Sequence, residues 1–241
     1  MTTVDRLRHR LEALLSRFGR GGETSGATGK RTSTLLRTHA TRAAGKASGV
    51  GTRGTRTARA EEHLRQTLRE DPNDVVAFAE LAEVVRASAA VGHEVDDPRR
   101  AADDAVWALA EELAHSPRAW YPLVEMARLS IEHDRESALR RLGTAAERDA
   151  TGQALVMGID MLRETGHPGD ALNLGVGHWR PSEHAPEVAR AMVEAALAAG
   201  RPSEARRLLS AIADHPDERS ASAVTRRMER AIADAGTPTA R

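Results

Sequence analysis

Apolar residues recur every three or four positions over most of this 241-residue chain, a spacing typical of helices that pack through one face. Two of the clearest apolar stripes are Phe78, Leu81, Ala82 and Val85, and Ala205, Leu208, Leu209 and Ile212. The pattern predicts helices over residues 98–114, 152–165, 168–179, 184–199, 202–214 and 219–235. Ala and Leu, both strong helix formers, supply much of the apolar content. An all-α fold is therefore expected.

The pattern changes before residue 58 and after residue 235. Residues 1–18 contain an amphipathic stretch with leucines and arginines on different arcs, which predicts a basic amphipathic helix. Residues 19–57 hold nine of the 19 glycines and few large apolar residues, so a disordered linker rich in Gly, Thr and Arg is predicted. Residues 58–235 form the predicted helical domain with a C-terminal capping helix, and residues 236–241 form a predicted disordered tail.

Two turns within the helical domain share a pattern. Gly166-His167-Pro168 is echoed 34 residues later by Gly200-Arg201-Pro202, and an Asp or Glu and an Ala follow each proline. A proline fits the first turn of a helix, and a glycine fits the position just after the preceding one. A period of 34 residues predicts a repeated helix-turn-helix unit.

The spacing Phe78-x-x-Leu81-Ala82-x-x-Val85, together with this period, resembles the tetratricopeptide repeat family over residues 58–235. The resemblance implies a right-handed superhelix of paired helices, a solenoid. It does not account for the flexible basic N-terminal arm, which composition and charge predict. Gly175 departs from the pattern because it stands where a large residue is expected. A generic helical solenoid, or a related two-helix repeat, is the alternative.

In this family the first helices of the repeats line a groove that binds a peptide or a partner domain. The resemblance therefore implies a non-catalytic adaptor, scaffold or assembly factor that binds another protein or peptide. Members that hold a C-terminal carboxylate use Lys and Asn at these positions, and neither occurs here, whereas the excess of acids indicates a basic or mixed ligand. The positions on this predicted groove face are Glu80, Glu83, Arg86, Tyr121, Glu125, Arg128, Met157, Asp160, Arg163, Arg190 and Glu194, with Glu187 beside them.

Charge divides the chain although its formal net charge is zero. Residues 1–60 hold 13 of the 35 basic side chains but only 3 of the 35 acidic ones, so this segment carries about +10 and the remainder about −10. The alternative function is thus a regulator whose basic segment, residues 1–57, contacts nucleic acid or an anionic membrane surface while the repeats bind protein. The segment has a third candidate target, the acidic body of the same chain.

Signals for chemistry are weak. The chain has no cysteine, and its ten histidines are not spaced as metal ligands. The stretch Gly26–Thr32 lacks the spacing of a phosphate-binding loop. We therefore expect no catalysis, no cofactor and no metal. No apolar run approaches the length of a membrane span, and no secretion signal is evident, so a cytoplasmic protein is expected.

Overall fold

The computed structural model describes residues 49–91 and 97–236, and this part of the chain is helical without strands. The predicted helix within residues 1–18, the predicted linker up to residue 48 and the tail after residue 236 lie outside it. Ten helices follow one another: α1 (Gly49–Glu70), α2 (Val75–Val91), α3 (Pro98–Ala114), α4 (Tyr121–Ser130), α5 (Arg135–Arg148), α6 (Gln153–Glu164), α7 (Pro168–His178), α8 (Glu187–Ala198), α9 (Pro202–Ser210) and α10 (Glu218–Gly236). The predicted all-α class is confirmed.

The first helix begins earlier than the sequence pattern predicts. Helix α1 starts at Gly49, so residues 49–57, which fell in the predicted linker, are helical. Adding residues to an existing helix is much easier than nucleating one, so a helix anchored by the buried Leu68 extends through Thr and Arg. The burial of Leu68 depends on tertiary packing, so the composition of residues 49–57 alone does not predict that they are helical.

The two glycine turns have the same backbone geometry. Gly166 and Gly200 have φ angles of 84° and 70°, in the left-handed region that glycine tolerates best. In both turns the residue after the glycine donates its N–H back to the last turn of the preceding helix: His167 to Leu162 O at 2.7 Å, and Arg201 to Ala196 O at 2.8 Å. The sequence echo at 34 residues therefore corresponds to a structural echo.

Each helix packs against the next one along the chain, and several also contact the next but one. The longer-range contacts join α4 to α6, α6 to α8 and α8 to α10, with α5 joined to α7. Helix α2 meets α4 through the rings of Phe78 and Tyr121, whose centroids lie 5.2 Å apart, edge to face. Helices α2, α4, α6, α8 and α10 therefore form one row.

The core consists of small and medium apolar side chains. Leu81 is completely buried and Leu209 is 7% exposed, as their positions in the apolar stripes predict. Gly175, the departure from the repeat pattern, is also buried, and a Cβ atom there would lie 2.9 Å from Cε of Met192. Met192 thus occupies the space that a larger residue would take.

Asn73, in the turn between α1 and α2, and Arg148, at the end of α5, fix the turn between α3 and α4. Oδ1 of Asn73 accepts the N–H groups of Trp120 and Tyr121 at 2.7 and 3.0 Å and so caps α4 from outside its own helix. Nη1 of Arg148 donates to three carbonyl groups around the same turn, at 2.9–3.1 Å: Ala114, Ser116 and Ala119. Neighbouring turns are thereby joined by hydrogen bonds as well as by apolar packing.

Candidate functional site

The predicted groove-face residues lie on four helices of the row. Helix α2 carries Glu80, Glu83 and Arg86; α4 carries Tyr121, Glu125 and Arg128; α6 carries Met157, Asp160 and Arg163; α8 carries Arg190 and Glu194. The structure brings most of their charged groups into two clusters. We call them the Tyr121 cluster (Glu83, Arg86, Tyr121, Glu125, Arg128) and the Arg190 cluster (Asp160, Arg163, Glu187, Arg190, Glu194, Arg227).

Arg190 is the centre of the second cluster. Its guanidinium contacts three carboxylates: Nε lies 2.8 Å from Glu187, Nη1 lies 2.7 Å from Glu194, and Nη2 lies 3.1 Å from Asp160. Glu187 and Glu194 are on the same helix, whereas Asp160 comes from α6. The side chain is only 4% exposed, so this arginine bridges two helices in a largely dry environment.

The pKa of Arg190 follows from competing effects. Burial alone lowers it, but the nearby charges of Asp160 and Glu194, and the hydrogen bonds to Glu187 and Asp160, outweigh burial and raise the pKa above its ordinary value. The arginine is therefore charged under all ordinary conditions, and its three carboxylates hold it in place.

Two further arginines extend this cluster. Nη2 of Arg163 lies 3.3 Å from Asp160 and 3.6 Å from Glu194, and Nη2 of Arg227 lies 3.8 Å from Glu194. Three arginines thus face three carboxylates, and the cluster is formally neutral. Arg227 is on α10, the predicted capping helix, and is not among the predicted groove-face residues. No local signal identifies it, because its contact with Glu194 depends on how α10 packs against α8.

The Tyr121 cluster is organised differently. Tyr121 is 4% exposed, and burial raises the pKa of its hydroxyl far above the ordinary value, helped by the charge of Glu125 and by the hydrogen bond to it. The ion pairs here stay within one helix: Arg86 with Glu83 at 2.9 Å and Arg128 with Glu125 at 3.3 Å. An edge-to-face aromatic contact connects α2 to α4.

These positions change what the face can offer a partner. Tyr121 and Arg190 are buried, although they were expected to line an accessible groove, because one has an aromatic neighbour and the other has three carboxylates. The excess of acids that predicted a basic or mixed ligand is largely offset by arginines at salt-bridge distance. A partner would meet paired charges rather than an open acidic surface.

Other kinds of site are not evident in the described ranges. Among residues 49–91 and 97–236, no group of three His, Asp or Glu side chains is arranged to hold a metal ion. The glycine-rich stretch Gly26–Thr32 lies outside these ranges.

Within residues 49–91 and 97–236, no helix combines the length and the apolar character that crossing a membrane requires.

No protein-family model, curated protein or solved structure matched this chain.

Proposed function

We propose that this chain is a helical repeat protein of the tetratricopeptide type, and that it binds another protein or peptide along the groove face without catalysing a reaction. The observation that carries the proposal is the row of α2, α4, α6 and α8, each of which carries charged side chains at the predicted groove-face positions. A repeated face of this kind offers a partner several equivalent contacts in register.

Two features of the backbone support the repeat. The Gly166 and Gly200 turns share their hydrogen-bond geometry at a 34-residue spacing. Contacts between α4 and α6, α6 and α8, and α8 and α10 follow the same alternation. In a helical repeat array, alternate helices line one surface and provide the binding face.

The paired charges indicate the kind of partner. Because carboxylates and arginines already neutralise one another on this face, an entirely basic or entirely acidic partner gains little from net charge. A segment with both signs of charge can replace an ion pair within the face by ion pairs to its own side chains. Its charges must then be spaced to match those of the face, and this spacing provides specificity. Composition favoured a basic or a mixed ligand. Of these two, we infer the ligand of mixed charge.

The test compares two charge-reversed variants of the full-length chain. One carries Glu80→Arg and Glu83→Arg on α2, within the groove face. The matched control carries Glu111→Arg and Glu147→Arg on α3 and α5, so the change in charge is the same, and all four residues are exposed. Circular dichroism and thermal melting first establish that both variants are folded.

Partners are then captured from a lysate of the source organism with the wild type and both variants, and quantified by mass spectrometry. We expect at least one protein to bind the wild type and the control while binding the groove variant at least tenfold less. Titration of that purified protein should reproduce the difference in Kd. Equal binding by both variants would exclude the groove face as the binding surface.

A further inference from the structure

Two buried histidines lie outside the groove face. His184, in the turn between α7 and α8, is 1% exposed, and His215, in the turn between α9 and α10, is 8% exposed. In the described part of the chain the other buried polar side chains are Asp149 and Arg190. A buried histidine is costly to protonate unless a neighbouring group accepts a hydrogen bond from the added proton.

His215 joins its own turn to the turn between α7 and α8, which contains His184. Its Nε2 lies 3.0 Å from the carbonyl oxygen of His184, and its Nδ1 accepts the backbone N–H of Asp217 at 2.9 Å. A carbonyl can only accept, so Nε2 must carry the proton, while Nδ1 must be bare. The contacts therefore select the neutral ring. A proton added at Nδ1 would point at the N–H of Asp217.

His184 is held against the turn between α5 and α6. The Cβ and Cγ atoms of His184 would be 3.0 Å from a Cβ placed on Gly152, so the ring is seated where that glycine leaves room. Beside it, the N–H of Ala185 donates to Thr151 O at 3.1 Å. Nδ1 of His184 accepts the N–H of Arg180 at 3.5 Å, whereas its Nε2 is buried without a hydrogen-bond partner in the described residues.

Charges around His184 come from two turns. Burial lowers its pKa first and the positive charge of Arg180 lowers it further, while Asp149 and Glu183 act in the opposite direction and are outweighed. Asp149 directs its oxygens elsewhere: they accept Thr151 N–H and Oγ1–H and the N–H of Ala154. Among the described residues, no hydrogen-bond acceptor lies against either nitrogen of the His184 ring.

Charges around His215 lie on its own turn and on α10. Asp217 caps α10 by accepting the N–H of Ser220 at 3.0 Å, and hydrogen bonds from Ser220 lower the pKa of this carboxyl. Asp214, Glu218 and Arg226 line a cleft of about 630 Å³ beside the ring.

We propose that His184 and His215 form a pH-sensitive fastener. While His184 is neutral, the fastener holds the turn before α8 against the turn after α9; when His184 is protonated, α9 and α10 are released. Protonation of His184 drives its ring out of the seat on Gly152 and moves the carbonyl that holds His215. Release of α10 also withdraws Arg227 from Glu194, at 3.8 Å in the closed structure. The fastener therefore controls one edge of the Arg190 cluster.

The sign and size of the effect follow from linkage. An unfolded or released histidine has a pKa of about 6.5, and the seated His184 has a lower one, so the released state binds more protons. The stabilisation that the fastener gives to the packed α9 and α10 is complete well above pH 6.5 and is lost as the pH falls below about 6.5. If a single histidine is protonated only on release, its release equilibrium rises about tenfold between pH 7.5 and pH 5.5.

Hydrogen exchange of the full-length chain at pH 7.5 and 5.5 tests this, after correction for the intrinsic pH dependence of exchange. We expect protection of α9 and α10 to fall about tenfold at the lower pH, with a smaller change in α2 and α3. His184→Leu, which cannot be protonated, should abolish most of the selective loss. His133→Asn, at an exposed histidine in another turn, should retain it.

A uniform loss of protection in the wild type, or the same selective loss in His184→Leu, would overturn the proposal. If His184→Leu does not fold, NMR titration of histidine rings in the wild type decides the question. We then expect the His184 ring to remain neutral at about pH 6.5, the ordinary pKa of a histidine, for as long as α9 and α10 keep their protection. A His184 ring that titrates with that ordinary pKa while the helices stay protected would contradict the fastener.

Discussion

The two clusters of the groove face illustrate two ways of joining neighbouring helices. In the Tyr121 cluster the ion pairs stay within α2 or within α4, and an aromatic edge-to-face contact crosses between the helices. In the Arg190 cluster a single buried arginine carries the contact from α6 to α8. Exposed pairs three residues apart add little to stability, whereas a buried charge that loses its partners is costly. Similar residue types on one face therefore contribute differently to the free energy of unfolding.

The largest effect is expected from Arg190→Met. Removing the guanidinium leaves Asp160, Glu187 and Glu194 close together without their shared counter-charge, which should reduce the free energy of unfolding by about 3–5 kcal/mol. Urea unfolding followed by circular dichroism measures the change. The matched variant is Arg128→Met, whose side chain is 48% exposed and which should cost at most about 1 kcal/mol. Equal costs would remove the distinction between the clusters.

A second effect concerns the turn on which the fastener rests. Gly152→Ala places a methyl group at a φ of 83° and 2.7 Å from Cγ2 of Val188, so backbone strain and steric overlap add together. Gly200→Ala has a similar φ of 70° but no heavy atom within 4 Å of the new methyl group. Gly152→Ala should therefore cost about 1–3 kcal/mol more than Gly200→Ala in the same unfolding experiment. Similar costs would show that the turn can shift away from Val188.

The smallest effect is expected within the Tyr121 cluster. Tyr121→Phe keeps the edge-to-face contact with Phe78 and removes only the hydroxyl that donates to Glu125. The expected loss is about 1 kcal/mol, since one buried hydrogen bond is removed while Glu125 keeps Arg128. Thermal melting at fixed protein concentration can detect it. A loss as large as that of Arg190→Met would mean that the hydroxyl, and not the ring, fixes α4 against α2.

Helices and their ends were largely predictable because their signals are local. The predicted helix 98–114 coincides with α3, where Asp97 caps the first turn and Pro98 occupies its first position. The glycine turns follow equally from residues within one or two turns of helix. Hydrophobic spacing also placed Leu81 and Leu209 inside. It did not place the beginning of α1, because helix propagation into residues 49–57 depends on what the rest of α1 packs against.

The site divides in the same way. The sequence by itself determined which charged positions share one face of a helix, since helical spacing relates Asp160 to Arg163 and Arg190 to Glu194. Only the tertiary structure decided that Arg190 is buried beneath Asp160, 30 residues away, and that Arg227 joins Glu194. Likewise, the bond between His215 and the carbonyl of His184 joins turns 31 residues apart. Propensity and capping act over about four residues, whereas these contacts depend on the distance and angle between packed helices.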